Sequence, residues 1–170
     1  TFQYTILDSL VGVDHDRGTD VANNLIKATA TVTVNIVGVN SLPTPNDDDV
    51  NNNPLLTTAE DVSLDFTTAA NVLANDTDPN SDDDSSTVNI VAIHPTSVYS
   101  DTLEAVSELG ASVSLDIRFD RTETHIVYDP SNSAVLNALG SGQTAVDTFY
   151  YSVVDSHGAI GTAAVHITVT

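Results

Sequence analysis

Between residues 76 and 82 the chain reads Asp-Thr-Asp-Pro-Asn-Ser-Asp, so Asp76, Asp78, Asn80 and Asp82 fall on alternate positions. Oxygen side chains at that spacing form the front half of a calcium loop, because Ca2+ takes about 6–8 hard oxygen ligands and accepts irregular geometry. The back half is missing. Where a helix-loop-helix site places Gly and Glu, this chain has Ser81 and Thr87. An ion held here needs further ligands from other loops, as at the ends of β-sandwiches. Magnesium would demand stricter octahedral placement, and zinc would favour His or Cys. The open alternative is an acidic turn left to solvent, and the trailing Asp83 and Asp84 are the residues most readily given to solvent.

Two other stretches carry related chemistry. Asp14, Asp16 and Asp20 alternate within DHDRGTD, although His15 and Arg17 dilute the negative charge. Asp47 and Asp49 belong to the run Asn46-Asp47-Asp48-Asp49, with Glu60 and Asp61 not far along the chain. Linker carboxylates meeting loop carboxylates would let one ion stiffen an interdomain joint; a solvated linker stands beside that as the plain alternative.

Catalytic patterns are weak. Gly140-Ser141-Gly142 lacks the strand-to-helix setting of a nucleophile elbow, and no His-Glu-x-x-His occurs. His94, His125, His157 and His166 are scattered and read as surface residues. No Gly-rich phosphate cradle is present, and 5% aromatics without tryptophan leave little for a sugar-stacking platform. The expectation is a protein that is not an enzyme.

The elements that must position these residues are strands. Ala163, Val165, Ile167 and Val169 alternate with Thr162, Ala164, His166 and Thr168, the period of two of a strand with one buried face. Similar alternation predicts strands over 28–37, 111–119, 124–128 and 148–154, separated by Asn, Asp, Gly and Pro clusters. The pattern is that of an all-β antiparallel sandwich. Only 102–109 and 133–140 have helical spacing, a turn or two each.

The chain of 170 residues is large enough for one sandwich and a fraction of another. Its 24 acidic and 4 basic side chains give a net charge of -20, which argues against nucleic acid or an anionic membrane as partner and for a cation. Nearly all the acid is Asp, a residue of turns and not of helices. Cysteine is absent, so neither disulfides nor thiolate metal sites are available. No run approaches the ~18–20 apolar residues of a membrane span. Thr1 opens directly on a strand-like pattern without a signal peptide, so the chain reads as an excerpt.

The two ends of the chain repeat one another. TFQYTILDS at 1–9 matches TFYYSVVDS at 148–156, and ATATVTVNIV at 28–37 matches GTAAVHITVT at 161–170. Residues 1–40 therefore read as the last two strands of one repeat, or as strands exchanged into a neighbouring sandwich, and 41–170 as a complete repeat. The joining stretch GVNSLPTPNDDDVNNNP, with its three prolines, reads as a stiff, extended linker.

The segment DTFYYSVVDSHGAIGTAAVHITV at 147–169 resembles the closing signature of cadherin-like and VCBS-type tandem repeats of large bacterial surface adhesins. AEDVSLDF at 59–66 and NVLANDTDPNSD at 71–82 are similar to that family's acidic strand entry and calcium-associated turn, while 85–125 is less typical and the long insertion at 10–26 departs from the usual short hairpin. The resemblance implies an Ig-like or cadherin-like sandwich with Greek-key connections. It also implies an extracellular, cell-surface setting, Ca2+ as cofactor, and Glu60, Asp76, Asp78 and Asp155 as acidic ligands. The expected partners are neighbouring repeats or identical subunits. Two other functions stay open: a sugar- or peptide-binding module using the same loop ends, and a filament subunit that polymerises by strand insertion.

Overall fold

In the computed structural model, residues 1–8, 26–68, 72–84, 86–117 and 123–170 are described. The chain divides into two compact units, Thr1–Val39 and Asn40–Thr170.

The first unit holds a hairpin of β1 (Phe2–Asp8) and β2 (Ile26–Val32), paired from Phe2 with Val32 through Asp8 with Ile26. The predicted strand over 28–37 ends early, because the cross-strand partners of β2 run out at Phe2. Phe2, Tyr4 and Ile6 pair with Val32, Ala30 and Ala28, so period-two geometry puts these six apolar residues on one face.

Among the described residues the second unit has eight strands: β3 (Thr57–Thr58), β4 (Leu64–Thr67), β5 (Asn89–His94), β6 (Glu104–Val106), β7 (Ser112–Asp116), β8 (His125–Asp129), β9 (Ala145–Val154) and β10 (Ile160–Val169). They form two four-stranded sheets, ordered β3-β10-β9-β5 and β4-β8-β7-β6. All pairings are antiparallel except β3 with β10, which run parallel. One hydrophobic core draws on both sheets: Val165, Ile167, Phe149 and Tyr151 from the first meet Phe66, Val113, Ile126 and Tyr128 from the second. This is a β-sandwich, and β10 buries the alternating set Ala163, Val165, Ile167 and Val169 that its sequence pattern indicates.

Three local expectations change. Helical spacing at 102–109 gives way to the edge strand β6, which pairs Glu104 with Ser114 and Val106 with Ser112. An isolated helix of two turns is marginal, whereas Gly110 at φ 98° reverses the chain and lets β6 join β7. The second helical stretch shrinks to a 3-10 turn at Leu136–Ala138. His94, expected at the surface, is wholly buried. Its Nε2 lies 2.8 Å from Ser152 Oγ and its Nδ1 2.5 Å from the Thr96 carbonyl, so the ring is paired at both ends within the protein.

The supposed linker is also part of the sandwich. Asp48 N–H donates to Ala164 O at 2.9 Å, His166 N–H donates to Asp48 O at 2.8 Å, and Thr44 forms a bridge with Thr77. This segment crosses β10 so closely that a Cβ at Gly161 would stand 2.6 Å from both Pro43 O and Pro45 Cδ. Gly161→Ala must therefore push the entering segment off β10. The expected loss is about 1–3 kcal/mol, the usual scale of overpacking, read as a lowered midpoint in a thermal melt.

Candidate metal centre

The acidic turn is anchored before it begins. Val72 and Leu73 are buried in the core, Leu73–Asn75 forms a 3-10 turn, and Asp76 N–H closes that turn on Leu73 O at 3.2 Å. From Asp76 the chain is extended, with Thr77 exchanging both backbone hydrogen bonds with Thr44 at 2.7 and 3.1 Å. Asp76 and Asp78 take different partners.

Asp78 joins Asp83 and Asp155, with one carboxylate oxygen from each within 4.8 Å of the others. Asp155 sits at the end of β9, where Gly158 at φ 89° curls the turn so that its own N–H groups face the carboxylate. Asp155 Oδ1 accepts from His157 N and Ala159 N, both at 2.8 Å, and Oδ2 accepts from Asn40 Nδ2 at 2.8 Å. Burial pushes its pKa up, but these hydrogen bonds outweigh burial and hold it below the ordinary range. Asp83 accepts from Ser156 N at 3.1 Å, and Oδ2 lies 3.2 Å from His157 Nδ1. Hydrogen bonding from Ser156 is the main cause of its lowered pKa. Asp78 Oδ1 accepts from Asn80 N at 2.7 Å, and its Oδ2 is buried without a hydrogen-bond partner among the described residues.

A second group, Asp82, Asp83 and His157, shares Asp83 with the first. His157 Nε2 is 3.7 Å from Asp82 Oδ2. The first group offers only oxygen and suits a hard cation; the second mixes nitrogen with oxygen and suits a transition metal as well. In either, three protein ligands leave coordination positions for backbone carbonyls or water.

The other residues proposed from sequence have separate places. Asp76 is buried against Tyr151, whose hydroxyl lies 3.0 and 3.1 Å from its two carboxylate oxygens. Asn80 Oδ1 accepts from Ser41 N at 2.7 Å and so fastens the entering segment. Asp47 Oδ1 accepts from Ala164 N at 2.9 Å, and Asp49 holds its own loop by accepting from Asn51 N and Nδ2, both at 2.8 Å. Glu60 is half-buried and belongs to neither group. Asp14, Asp16 and Asp20 lie outside the described residues.

The assignment of Asp83 to solvent is reversed: its side chain is wholly buried, while its neighbour Asp84 is exposed and caps a turn through Ser86. Asn40, Asp48 and His157 are further participants that spacing does not single out. The N–H-rich Asp-Ser-His-Gly turn is the one local signal for His157; burial of Asp48 follows from its pairing to β10, a long-range event.

Comparison with protein-family models, with curated proteins and with solved structures found no match.

Two carboxyls respond strongly to burial. Desolvation raises Asp48 to about 8, reinforced by the charge of Asp76, and desolvation raises Asp76 to about 6. A carboxyl whose folded pKa exceeds its unfolded value binds more protons in the folded state, so stability falls as pH rises between the two values. For chelator-treated protein the midpoint of thermal unfolding is expected to decrease from about pH 4 to about pH 8. A flat or rising profile across that window would contradict the burial of these groups.

Proposed function

We propose that this chain is a calcium-stiffened structural repeat of a secreted bacterial adhesin or extracellular filament, a spacer and not a catalyst. The carrying observation is the triad of Asp78, Asp83 and Asp155, which draws together a turn after β4 and the end of β9, with one buried oxygen left unpartnered. Asn40 and Ser41, the first residues of the second unit, are hydrogen-bonded to Asp155 and Asn80 around that triad. A cation there would relieve the repulsion of three carboxylates and fix the direction in which the chain enters the sandwich. Calcium fits best, because the ligands are oxygens on irregular turns and extracellular modules bind it at about 10⁻⁴–10⁻³ M. Folding would then be coupled to extracellular calcium.

The duplicated hairpin favours a tandem array. Phe2, Tyr4 and Ile6 are the sequence counterparts of Phe149, Tyr151 and Val153, and Val32, Ala30 and Ala28 those of Val165, Ala163 and Gly161. Both hairpins pair these residues in the same register. In β9 the three large side chains are 0% exposed, whereas in β1 they are 57%, 45% and 56% exposed. Full burial of such a side chain stabilises by about 1.5–3 kcal/mol, so the first hairpin has strong reason to sit in a sandwich of the same kind. The same face favours, as a second reading, a filament subunit that inserts this hairpin into a neighbour.

The test is a calorimetric melt of the full chain in chelator, in calcium and in magnesium. Saturation at about a hundred times Kd stabilises by about 2.7 kcal/mol, a rise of roughly 10 °C for a unit of this size. Asp155→Asn should abolish most of that rise. A melt indifferent to calcium and chelator removes the proposal, and an equal response to magnesium removes its calcium specificity.

A further inference from the structure

Where the entering segment meets the turn after β4, buried acceptors outnumber the donors available to them. Asp48 is only 2% exposed, and its Oδ2 is buried with no hydrogen-bond partner among the described residues. Asn75 presents a second buried oxygen, Oδ1, with no partner among the described residues, while its Nδ2 donates to the carbonyls of Asn46 at 3.5 Å and Asp47 at 3.3 Å, and hydrogen bonding from Tyr151 and Asn75 offsets only part of the effect of burial on Asp48. Asp76, 5% exposed, stands close enough to Asp48 for the two charges to repel. The Tyr151 hydroxyl approaches both carboxylates and also lies 3.2 Å from Asn46 O. It carries one proton to donate, and several oxygens compete for it. Among the described residues no positively charged side chain pairs with Asp48 or Asp76.

The backbone fixes this arrangement. Asp48 is held on β10 by its bonds to Ala164 and His166, and Asn46 N donates to Asp76 Oδ1 at 2.8 Å. Asn75 ends the 3-10 turn, and Tyr151 projects from β9 into the core. Buried, unpartnered carboxylate oxygens are costly, and a coordinating cation supplies both the missing charge and several directional contacts at once. We propose that Asp48, Asn75 and Asp76 form a second cation site, distinct from the Asp78, Asp83 and Asp155 triad, that takes one hard oxygen-seeking divalent ion, calcium by preference. The donor set is two carboxylates and an amide oxygen, with the Asn46 carbonyl beside them. It contains no nitrogen or sulfur ligand for a softer metal, and its irregular geometry favours calcium over magnesium. An ion here clips the entering segment to the turn after β4 within a single sandwich.

The inference does not rest on the adhesin proposal, and one set of variants separates the two. Calcium titration of the full, chelator-stripped chain by calorimetry should show one ion fewer for Asp48→Asn than for the native chain, with the ion of the triad kept. Asp155→Asn should lose the triad's ion and keep this one. Asn75→Ala, which removes a single ligand oxygen, should weaken this site roughly tenfold without touching the other, and it decides the matter if Asp48→Asn fails to fold. Unchanged ion number and affinity in both Asp48→Asn and Asn75→Ala would overturn the second site. So would a chelator-treated Asp48→Asn that melts above the native chain and gains as much from calcium, because Asp48 would then hold a proton and not an ion. Loss of an ion in Asp48→Asn but none in Asp155→Asn would uphold this site and sink the triad.

Discussion

Putting carboxylates inside a protein of net charge -20 sets a condition that every nearby element must meet: each buried oxygen needs a donor, a proton or a cation. Asp147 shows the condition met by donors alone. It is 1% exposed, and it accepts from Ser107 Oγ, Tyr128 OH, Leu109 N and Thr148 N at 2.5–2.8 Å. That carboxylate ties β9 to β8 and to the β6–β7 turn, and it has no need of an ion. Asp48 and Asp78 show the opposite case, each with a buried oxygen that has no hydrogen-bond partner among the described residues. The difference lies in supply: the turn at 107–111 directs hydroxyl and N–H donors inward, whereas the segments around Asp48 and Asp78 are crowded with carboxylates and carbonyls.

That contrast governs how the acidic residues divide their labour. Asp49, Asp84 and Asp129 are spent on their own turns, where Asn51, Ser86 and Ser131 hydrogen-bond them and lower their pKa values. Asp83 and Asp155 are held below the ordinary carboxylate range by hydrogen bonds, from the Ser156 side chain above all for Asp83 and from Asn40 and the turn N–H groups for Asp155. An acidic sequence alone does not distinguish these roles. Their separation depends on which carboxylates the strand pairings carry inward.

The strands were legible because β-branched alternation is a local signal, and the repeat was legible because Phe2, Tyr4 and Val32 reproduce the identities or types of Phe149, Tyr151 and Val165. The site was half legible. Alternate spacing pointed to Asp78 and Asp82 but grouped Asp76 with them, since spacing does not show that Asp76 is taken up by Asn46 and Tyr151 from distant parts of the chain. Asp83 was missed for a related reason: its burial comes from Ser156 and His157, more than seventy residues away in the chain. His94 pairs with Tyr150 on the face of the sheet opposite Ile93 and Tyr151, and it is buried there against Ser152, Tyr150, Tyr99 and the Thr96 carbonyl, contacts that alternation does not show. Glycine at 161 marks a close approach that only the folded chain reveals, where the prolines of the apparent linker cross β10.

The parallel placement of β3 beside β10 has a mechanical meaning. The entering segment meets β10 at Asp48, then at Leu56 and Thr58, whose carbonyls accept from Thr168 N and Thr170 N at 3.0 and 2.9 Å. Because the two strands point the same way, tension applied to the opposite ends of the unit pulls one strand along the other. The connecting hydrogen bonds then bear load together in shear, whereas an antiparallel closure would let them peel apart one at a time. A sandwich closed in this way resists extension through the geometry of its first and last strands.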